Sequence, residues 1–250
     1  GGTGYLQLVG DEGYLVYPWS SAVGLGMDEV TQEHACEVAR VLARMHGADI
    51  AVPGLRELKP DFHPEERIVE LVKMAGECDV EQAPALRQAL PAFLSMLDSH
   101  RAANGVLEKH RVISHGDLDH KNILWDDAGE PVLIDWESAR HLNPTYELLL
   151  EALDWGGITA NFDARPFTTI LRAYVDAGGL IVEDMIPAAS DAIQGAWVSW
   201  LLYNVGRAVG LNDTRQRAIG SSQVDLVLSA LLRMEKQADR LTAIALQYAS

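Results

Sequence analysis

The sequence predicts an α+β fold, mostly helical, with one short β-hairpin at its start and another near its middle. Three observations predict it. Apolar residues recur at three- and four-residue spacing over most of the chain. Two pairs of short apolar runs flank Gly/Asp clusters at residues 10–13 and 126–130. The composition is that of a globular protein: 48% of the 250 residues are hydrophobic and 22% are charged, enough apolar surface for one core or two.

The first hairpin joins Tyr5–Val9 to Tyr14–Tyr17 through Gly10, Asp11, Glu12 and Gly13. Pro18 has no N–H to donate and ends the pairing. Trp19 to Gly26 reads as a linker or hinge. Beyond it, Val30, His34, Val38, Val41, Leu42 and Met45 form one apolar stripe, a helix that ends at Gly47. Glu66–Ala75 and Gln82–His100 are further helices. Ile123–Trp125 and Val132–Ile134 form the second hairpin around the turn Asp126–Glu130. From Tyr146 onward the pattern is helical, broken near Gly156–Gly157, Gly178–Gly179, Pro187 and Gly210–Asp213.

Composition also excludes partners. The net charge is -16, from 20 Lys+Arg against 36 Asp+Glu. Such a chain repels nucleic-acid phosphates and anionic membrane surfaces; its acidity either serves solubility alone or attracts cationic small molecules. No segment reaches the roughly 18 uninterrupted apolar residues of a membrane helix, and Gly1–Gly4 lacks the features of a signal peptide. A cytoplasmic location is expected. The two cysteines, Cys36 and Cys78, form no metal pattern and read as two buried free thiols in a reducing compartment.

The chemistry concentrates in His115-Gly116-Asp117-Leu118-Asp119-His120-Lys121-Asn122, which enters the second hairpin, and in Asp135 at its far end. A hairpin brings the start of one strand beside the end of the other, so Asn122 and Asp135 converge. A carboxylate and an amide oxygen are hard ligands of the kind Mg²⁺ accepts, with water and phosphate oxygens completing the shell. Asp117, beside them, can take the proton of an incoming hydroxyl. That layout suits phosphoryl transfer.

These residues resemble a known family. An Asp, an Asn five residues on and a later Asp at a strand end match the protein-kinase catalytic loop and its metal-binding Asp. His115-Gly116-Asp117 and Ile134-Asp135-Trp136-Glu137 resemble the aminoglycoside phosphotransferase/choline kinase family. Val38–His46 is similar to that family's helix after the hinge, and Leu15–Trp19 to its hinge strand. The resemblance implies a protein-kinase-like fold: a mainly helical C-lobe over residues 21–250, carrying the catalytic hairpin, and a remnant of the N-lobe sheet with the hinge over residues 1–20. It implies ATP and Mg²⁺ as cofactors, transfer of the γ-phosphate to a hydroxyl of a small molecule, Asp117 as the catalytic carboxylate, and Asn122 and Asp135 as metal ligands. It also implies nucleotide contacts from Tyr17, Trp19 and Ser20, and a packed His115 that orients the loop. Protein kinases usually carry Lys two residues after the catalytic Asp; here that position is Asp119. Lys121 reads as a solvated surface residue or as a phosphate contact.

The family's glycine-rich phosphate loop, strand Lys and helix Glu have no counterpart in this sequence: the first Lys is Lys59, well past the hinge, and Gly1–Gly4 reads as a turn. The chain is thus expected to bind Mg·ATP weakly and to turn over slowly or not at all on its own. For the acceptor, Glu147, Glu151 and Asp154 share one helix face, either a solvated face or a carboxylate row gripping an amino sugar, with Trp155 beside it to stack on a ring or a quaternary ammonium. Trp197, Trp200, Leu201, Asn204 and Arg207 form a second stripe, either core or an aromatic wall for a cation. An aminoglycoside-like acceptor leads. A choline, homoserine or other metabolite kinase, or a binding module without catalysis, are the alternatives.

Overall fold

The computed structural model describes residues 6–16, 18–26, 28–48, 50–52, 62–211 and 213–250. Tyr17, Lys59 and Gly1–Tyr5 lie outside the described residues.

The N-terminal hairpin pairs β1 (Leu6–Val9) with β2 (Glu12–Leu15) in antiparallel register, Val9 opposite Glu12. The turn is tighter than the sequence reading: it is Gly10-Asp11, with Gly10 at φ 64°, and Glu12 and Gly13 belong to the strand. The expected hinge, Trp19 to Gly26, contains a two-residue strand, β3 (Val23–Gly24).

Seven helices follow among the described residues: α1 (Gln32–Gly47), α2 (Glu65–Glu77), α3 (Ala83–Leu107), α4 (Pro144–Trp155), α5 (Ala164–Asp176), α6 (Ile186–Val209) and α7 (Arg217–Leu246). Their starts are chemically marked. Thr31 caps α1: its hydroxyl accepts the His34 N–H, and His34 Nδ1 accepts the Thr31 N–H at 3.1 Å. Asn143 caps α4 by accepting the Tyr146 N–H at 3.2 Å, and Pro144 sits where no intrahelical N–H is needed. Asn143 Nδ2 also donates to His110 O at 2.9 Å, fastening the start of α4 to the segment after α3. Pro187 marks the start of α6 in the same way.

α3 runs past the expected end at His100 to Leu107, straight through Pro91. α6 is buried along most of its length and packs between α3 and α7, while α1 packs on α5. Leu42, Phe93, Leu97, Phe167, Tyr174, Leu201 and Val227 are core residues. Each such side chain stabilises the fold by about 1.5–3 kcal/mol through burial. Cys36 is buried, but Cys78 is exposed at the end of α2, against the expectation of two buried thiols.

The short strands matter most for function. β4 (Val112–Ser114) pairs with β7 (Arg140–Leu142); β5 (Ile123–Trp125) pairs with β6 (Pro131–Leu133) on one side and with β3 on the other. The expected catalytic hairpin is therefore the core of a three-stranded sheet. His34 on α1 packs on Trp125 of β5, ring centroids 4.5 Å apart. Among the described residues no helix is long and apolar enough to cross a membrane.

Candidate active site

The loop leaving β4 is shaped by two residues before Asp117. His115 is fully buried, and its Nε2 lies 2.8 Å from the Ile134 carbonyl oxygen. A carbonyl only accepts, so Nε2 carries the hydrogen. The ring also rests on Trp136, centroids 4.6 Å apart. His115 thus links the loop to the residue preceding Asp135. Gly116 follows at φ 80°, a conformation that L side chains rarely adopt. A Cβ there would lie 2.5 Å from Arg140 Nη1 and 2.7 Å from the Ser138 carbonyl oxygen, so the position excludes any side chain.

Asp117 and Asn122 meet. Asn122 Nδ2 donates to both the carbonyl oxygen and the carboxylate Oδ2 of Asp117, each at 3.0 Å. The Asn122 carbonyl accepts the Ile134 N–H at 3.0 Å, so Asp135 is the next residue beyond the rung occupied by Asn122. Asp135 adopts φ 62°, ψ 54°, a left-handed conformation that Asp tolerates better than most residues. Asp117 and Asp135 are exposed and Asn122 is half-buried.

The donor set fits magnesium. With Nδ2 committed to Asp117, the remaining Asn122 side-chain atom is the oxygen Oδ1, and Asp135 adds a carboxylate. Among the described residues no group of three or more His, Cys, Asp or Glu could hold a metal ion. Mg²⁺ does not require such a group, because it is usually bound through one or two protein oxygens plus water and phosphate oxygens.

The structure corrects the acceptor face expected on α4. Glu147 and Glu151 are buried, neither solvated nor offered to a ligand. Both turn toward the loop that carries Asp117. Glu147 Oε1 accepts the Gly116 N–H at 2.8 Å, and Glu151 Oε1 accepts the Leu118 N–H at 3.1 Å. Trp155 Nε1 donates to the Leu118 carbonyl at 3.0 Å. The face of α4 read as a substrate row instead holds the backbone on both sides of Asp117. Glu147 Oε2 is in turn 3.0 Å from His46 Nε2, and His46 Nδ1 is 2.8 Å from the Tyr174 hydroxyl. A tautomer with hydrogen on Nε2 satisfies every member: Tyr174 donates to His46, and His46 donates to Glu147. Sequence reading missed His46 and Tyr174 as members of the site's support. A signal existed in a histidine that closes the stripe of α1.

Burial raises the Glu151 carboxyl well above the usual carboxylate range, reinforced by the charges of Asp154 and Glu147 and opposed by the Leu118 N–H. Its Oε2 has no hydrogen-bond partner among the described residues. Asp154 stands apart from its neighbours on α4. It is half-buried and borders the loop, and burial, then the charges of Asp119 and Asp117, push its carboxyl up to about 7 against the opposing charge of Lys121. Asp119 organises the turn before Asn122: its Oδ1 accepts the Lys121 backbone N–H at 3.4 Å and lies 2.5 Å from His120 Nδ1, and its Oδ2 pairs with Lys121 Nζ at 2.8 Å.

Of the other expected residues, Trp19 is 96% exposed, and the Ser20 hydroxyl accepts the Ala22 N–H at 3.2 Å. The aromatic stripe on α6 divides. Leu201 is core and Trp197 packs against it, whereas Trp200 and Tyr203 are exposed and stacked, 5.2 Å apart at 13°. Asn204 is buried and accepts from Arg207 at 3.1 Å.

Known structures share this arrangement of elements. The aminoglycoside phosphotransferase from Alicyclobacillus acidocaldarius superposes with a TM-score of 0.63 at 18% identity, covering 98% of this chain and 74% of that one. A spectinomycin phosphotransferase in complex with ADP and spectinomycin gives 0.57 at 13% identity, covering 98% and 74%. An ethanolamine kinase from Plasmodium vivax gives 0.55 at 13%, covering 89% and 66%, so the chain spans about two thirds to three quarters of these relatives. The expected protein-kinase-like α+β fold is therefore the observed one. No curated protein matches the chain significantly. The model of the phosphotransferase enzyme family matches residues 5–185. With that match over most of its length, and Asp117, Asn122 and Asp135 set around one sheet end, the chain belongs to the phosphotransferase enzyme family.

Proposed function

We propose that this chain carries the catalytic centre of an ATP-dependent O-phosphotransferase acting on a hydroxyl of a small, cationic molecule of the aminoglycoside type. The observation that carries the reading is the contact of Asn122 Nδ2 with Asp117 at 3.0 Å, in a register that places Asp135 one residue beyond the same rung.

In this reading Asp117 accepts a hydrogen bond from the acceptor hydroxyl, aims its oxygen at the γ-phosphorus and takes its proton as the new O–P bond forms. Asn122 holds the Asp117 carboxylate in place. Asn122 Oδ1 and the Asp135 carboxylate would hold Mg²⁺, which supplies neutralisation of phosphate charge when bound. Glu147, Glu151 and Trp155 fix the loop backbone so that Asp117 needs little reorganisation. Trp19 and Ser20, on the segment ending at β3, are the proposed nucleotide contacts within the described residues. Asp154 is the carboxylate of the expected acceptor row that remains for a cationic acceptor. The net charge of -16 supports such an acceptor.

The test is a phosphorylation screen of amino sugars, choline, ethanolamine and homoserine with Mg·ATP and the full-length protein that carries this chain, repeated with Asp117→Asn. Transfer to an amino sugar, reduced by about two to four orders of magnitude in the variant, supports the reading. Transfer that Asp117→Asn leaves intact removes Asp117 from it. Preference for choline or ethanolamine moves the protein to that acceptor class.

A further inference from the structure

We propose that Tyr174 is a positioning residue for the phosphoryl transfer, acting through the His46 ring on the backbone of Gly116 and so on Asp117. The inference rests on the phosphotransferase reading above.

Packing fixes the Tyr174 ring. The residue lies on α5 and is 1% exposed. The turn after α5 closes over it: Gly179 donates its N–H to the Tyr174 carbonyl at 3.0 Å, and a Cβ on Gly179 would collide with the ring carbons. In so close-packed a slot the ring has one pose. That pose delivers the hydroxyl to His46 Nδ1 at 2.8 Å, with the two rings edge to face and their centroids 5.7 Å apart. A phenylalanine would fill the same slot. The hydroxyl is the part of this residue that packing alone does not require, and it brings a polar group into the interior that must be hydrogen-bonded.

The direction of each hydrogen bond follows from the far end of the chain. The Gly116 N–H can only donate, and Glu147 Oε1 accepts it at 2.8 Å. Glu147 Oε2 lies 3.0 Å from His46 Nε2, and a carboxylate only accepts, so Nε2 carries a hydrogen. A neutral imidazole has one such hydrogen, which leaves Nδ1 bare and able to accept from Tyr174. Burial, then the Glu147 charge, hold the Tyr174 proton well above the usual phenol range, so the hydroxyl remains a donor at any working pH.

Without the hydroxyl, nothing selects this tautomer from the α5 side. Nδ1 would lie bare in the interior, and the ring would gain two alternatives: rotation, or hydrogen on Nδ1 with a bare Nε2 facing the carboxylate. Either one releases Glu147 Oε2. The Gly116 N–H would then hang on a carboxylate free to turn, and Gly116 directly precedes Asp117. A displaced Asp117 no longer aims the acceptor oxygen, and turnover is sensitive to such small displacements. Substrate binding should be spared, because Tyr174, His46 and Glu147 are all buried.

The experiment compares the wild type, Tyr174→Phe, His46→Gln and the double variant in the full-length protein that carries this chain. Steady-state kinetics uses Mg·ATP and an acceptor from the screen. A ¹⁵N spectrum of the histidine rings reads the tautomer, and hydrogen exchange reads the Gly116 amide. The wild type should show His46 with its hydrogen on Nε2. Tyr174→Phe should lower kcat by about 3- to 10-fold, the effect of one hydrogen bond. It should leave KM for both substrates at the wild-type values and speed exchange of the Gly116 amide. In the His46→Gln background the same change should have no further effect on kcat. Wild-type kcat in Tyr174→Phe overturns the proposal, and so does an equal loss of kcat in both backgrounds, which marks an effect that bypasses His46. Hydrogen on Nδ1 of His46 in the wild type overturns it without any variant. A wild type that transfers phosphate to no acceptor overturns the phosphotransferase reading instead. The two failures are distinguishable, because the ring spectrum and the amide exchange need no acceptor.

Discussion

Glu147 accepts the backbone N–H of Gly116 at 2.8 Å across 31 residues of chain, and so pins the residue immediately before Asp117 to helix α4. The same carboxylate holds His46, which holds Tyr174, so the loop that carries Asp117 is tied through one side chain to α1 and α5. A buried acid with these three dependants makes demanding claims on any substitution.

Glu147→Ala should cost about 3–5 kcal/mol, because it strands the Gly116 N–H and the His46 ring in the interior. Glu147→Gln keeps an acceptor for Gly116 and should cost less. Urea unfolding followed by tryptophan fluorescence measures both. Equal stability of Glu147→Ala and wild type would contradict the buried network.

Gly116→Ala should impair turnover more than any surface change in the loop. The left-handed backbone alone costs about 1–2 kcal/mol with a Cβ. The added methyl group also meets Arg140 and the Ser138 carbonyl. Steady-state kinetics alongside thermal unfolding would show both effects. A variant with unchanged kcat would mean that the loop relaxes freely.

Trp155→Phe keeps most of the ring and removes one N–H. The Leu118 carbonyl, next to Asp117 in sequence, then loses its partner at 3.0 Å. The expected loss is about 1–3 kcal/mol of stability, with kcat falling through loop disorder. A Phe variant indistinguishable in both readouts would show the contact to be incidental.

Asp154 gives stability a pH dependence with a defined sign. Its folded carboxyl titrates near 7, above the unfolded value of about 3.9. The folded state therefore binds the proton more tightly between those values. Stability from this group is fully present below about pH 4 and is lost as pH rises through 7. Asp154→Asn should flatten that slope and stabilise the protein at pH 8. The gain is on the order of 1 kcal/mol, once the water still reaching this half-buried group is allowed for. Parallel denaturation curves at pH 5 and pH 8 test it; an identical slope in the variant would assign the dependence elsewhere.

Much of this site is legible in the sequence because its signals are local. Asp117, Asn122 and Asp135 sit at fixed spacings around a turn that Gly129 and its acidic neighbours announce, and strand pairing does the rest. What the sequence hides is direction. Spacing places Glu147, Glu151 and Trp155 on one face of α4 but does not say whether that face looks outward, and charged residues are seldom buried. A hint was present. Leu148, Leu149, Leu150, Ala152 and Leu153 make α4 apolar on most sides, so the acids interrupting them had to lie inside, where the N–H groups of a glycine-containing loop needed acceptors. β3 and β7 were missed for another reason: strands of two and three residues, such as Arg140–Leu142, carry no alternation and are defined by their partners alone. α3 runs through Pro91, as the expected helix Gln82–His100 did, and continues past His100 to Leu107.

The amide at position 122 has one further consequence. Its two ends have opposite polarity: the nitrogen end faces an anion at 3.0 Å, which leaves the oxygen end for a cation. A neutral group can serve both without adding charge of its own. Asn122→Asp, nearly identical in shape, would set two carboxylates against each other across that gap, and the loop would relieve the repulsion by opening or by keeping a proton. Isosteric exchange at this position is therefore a change of electrical sign, not a conservative replacement.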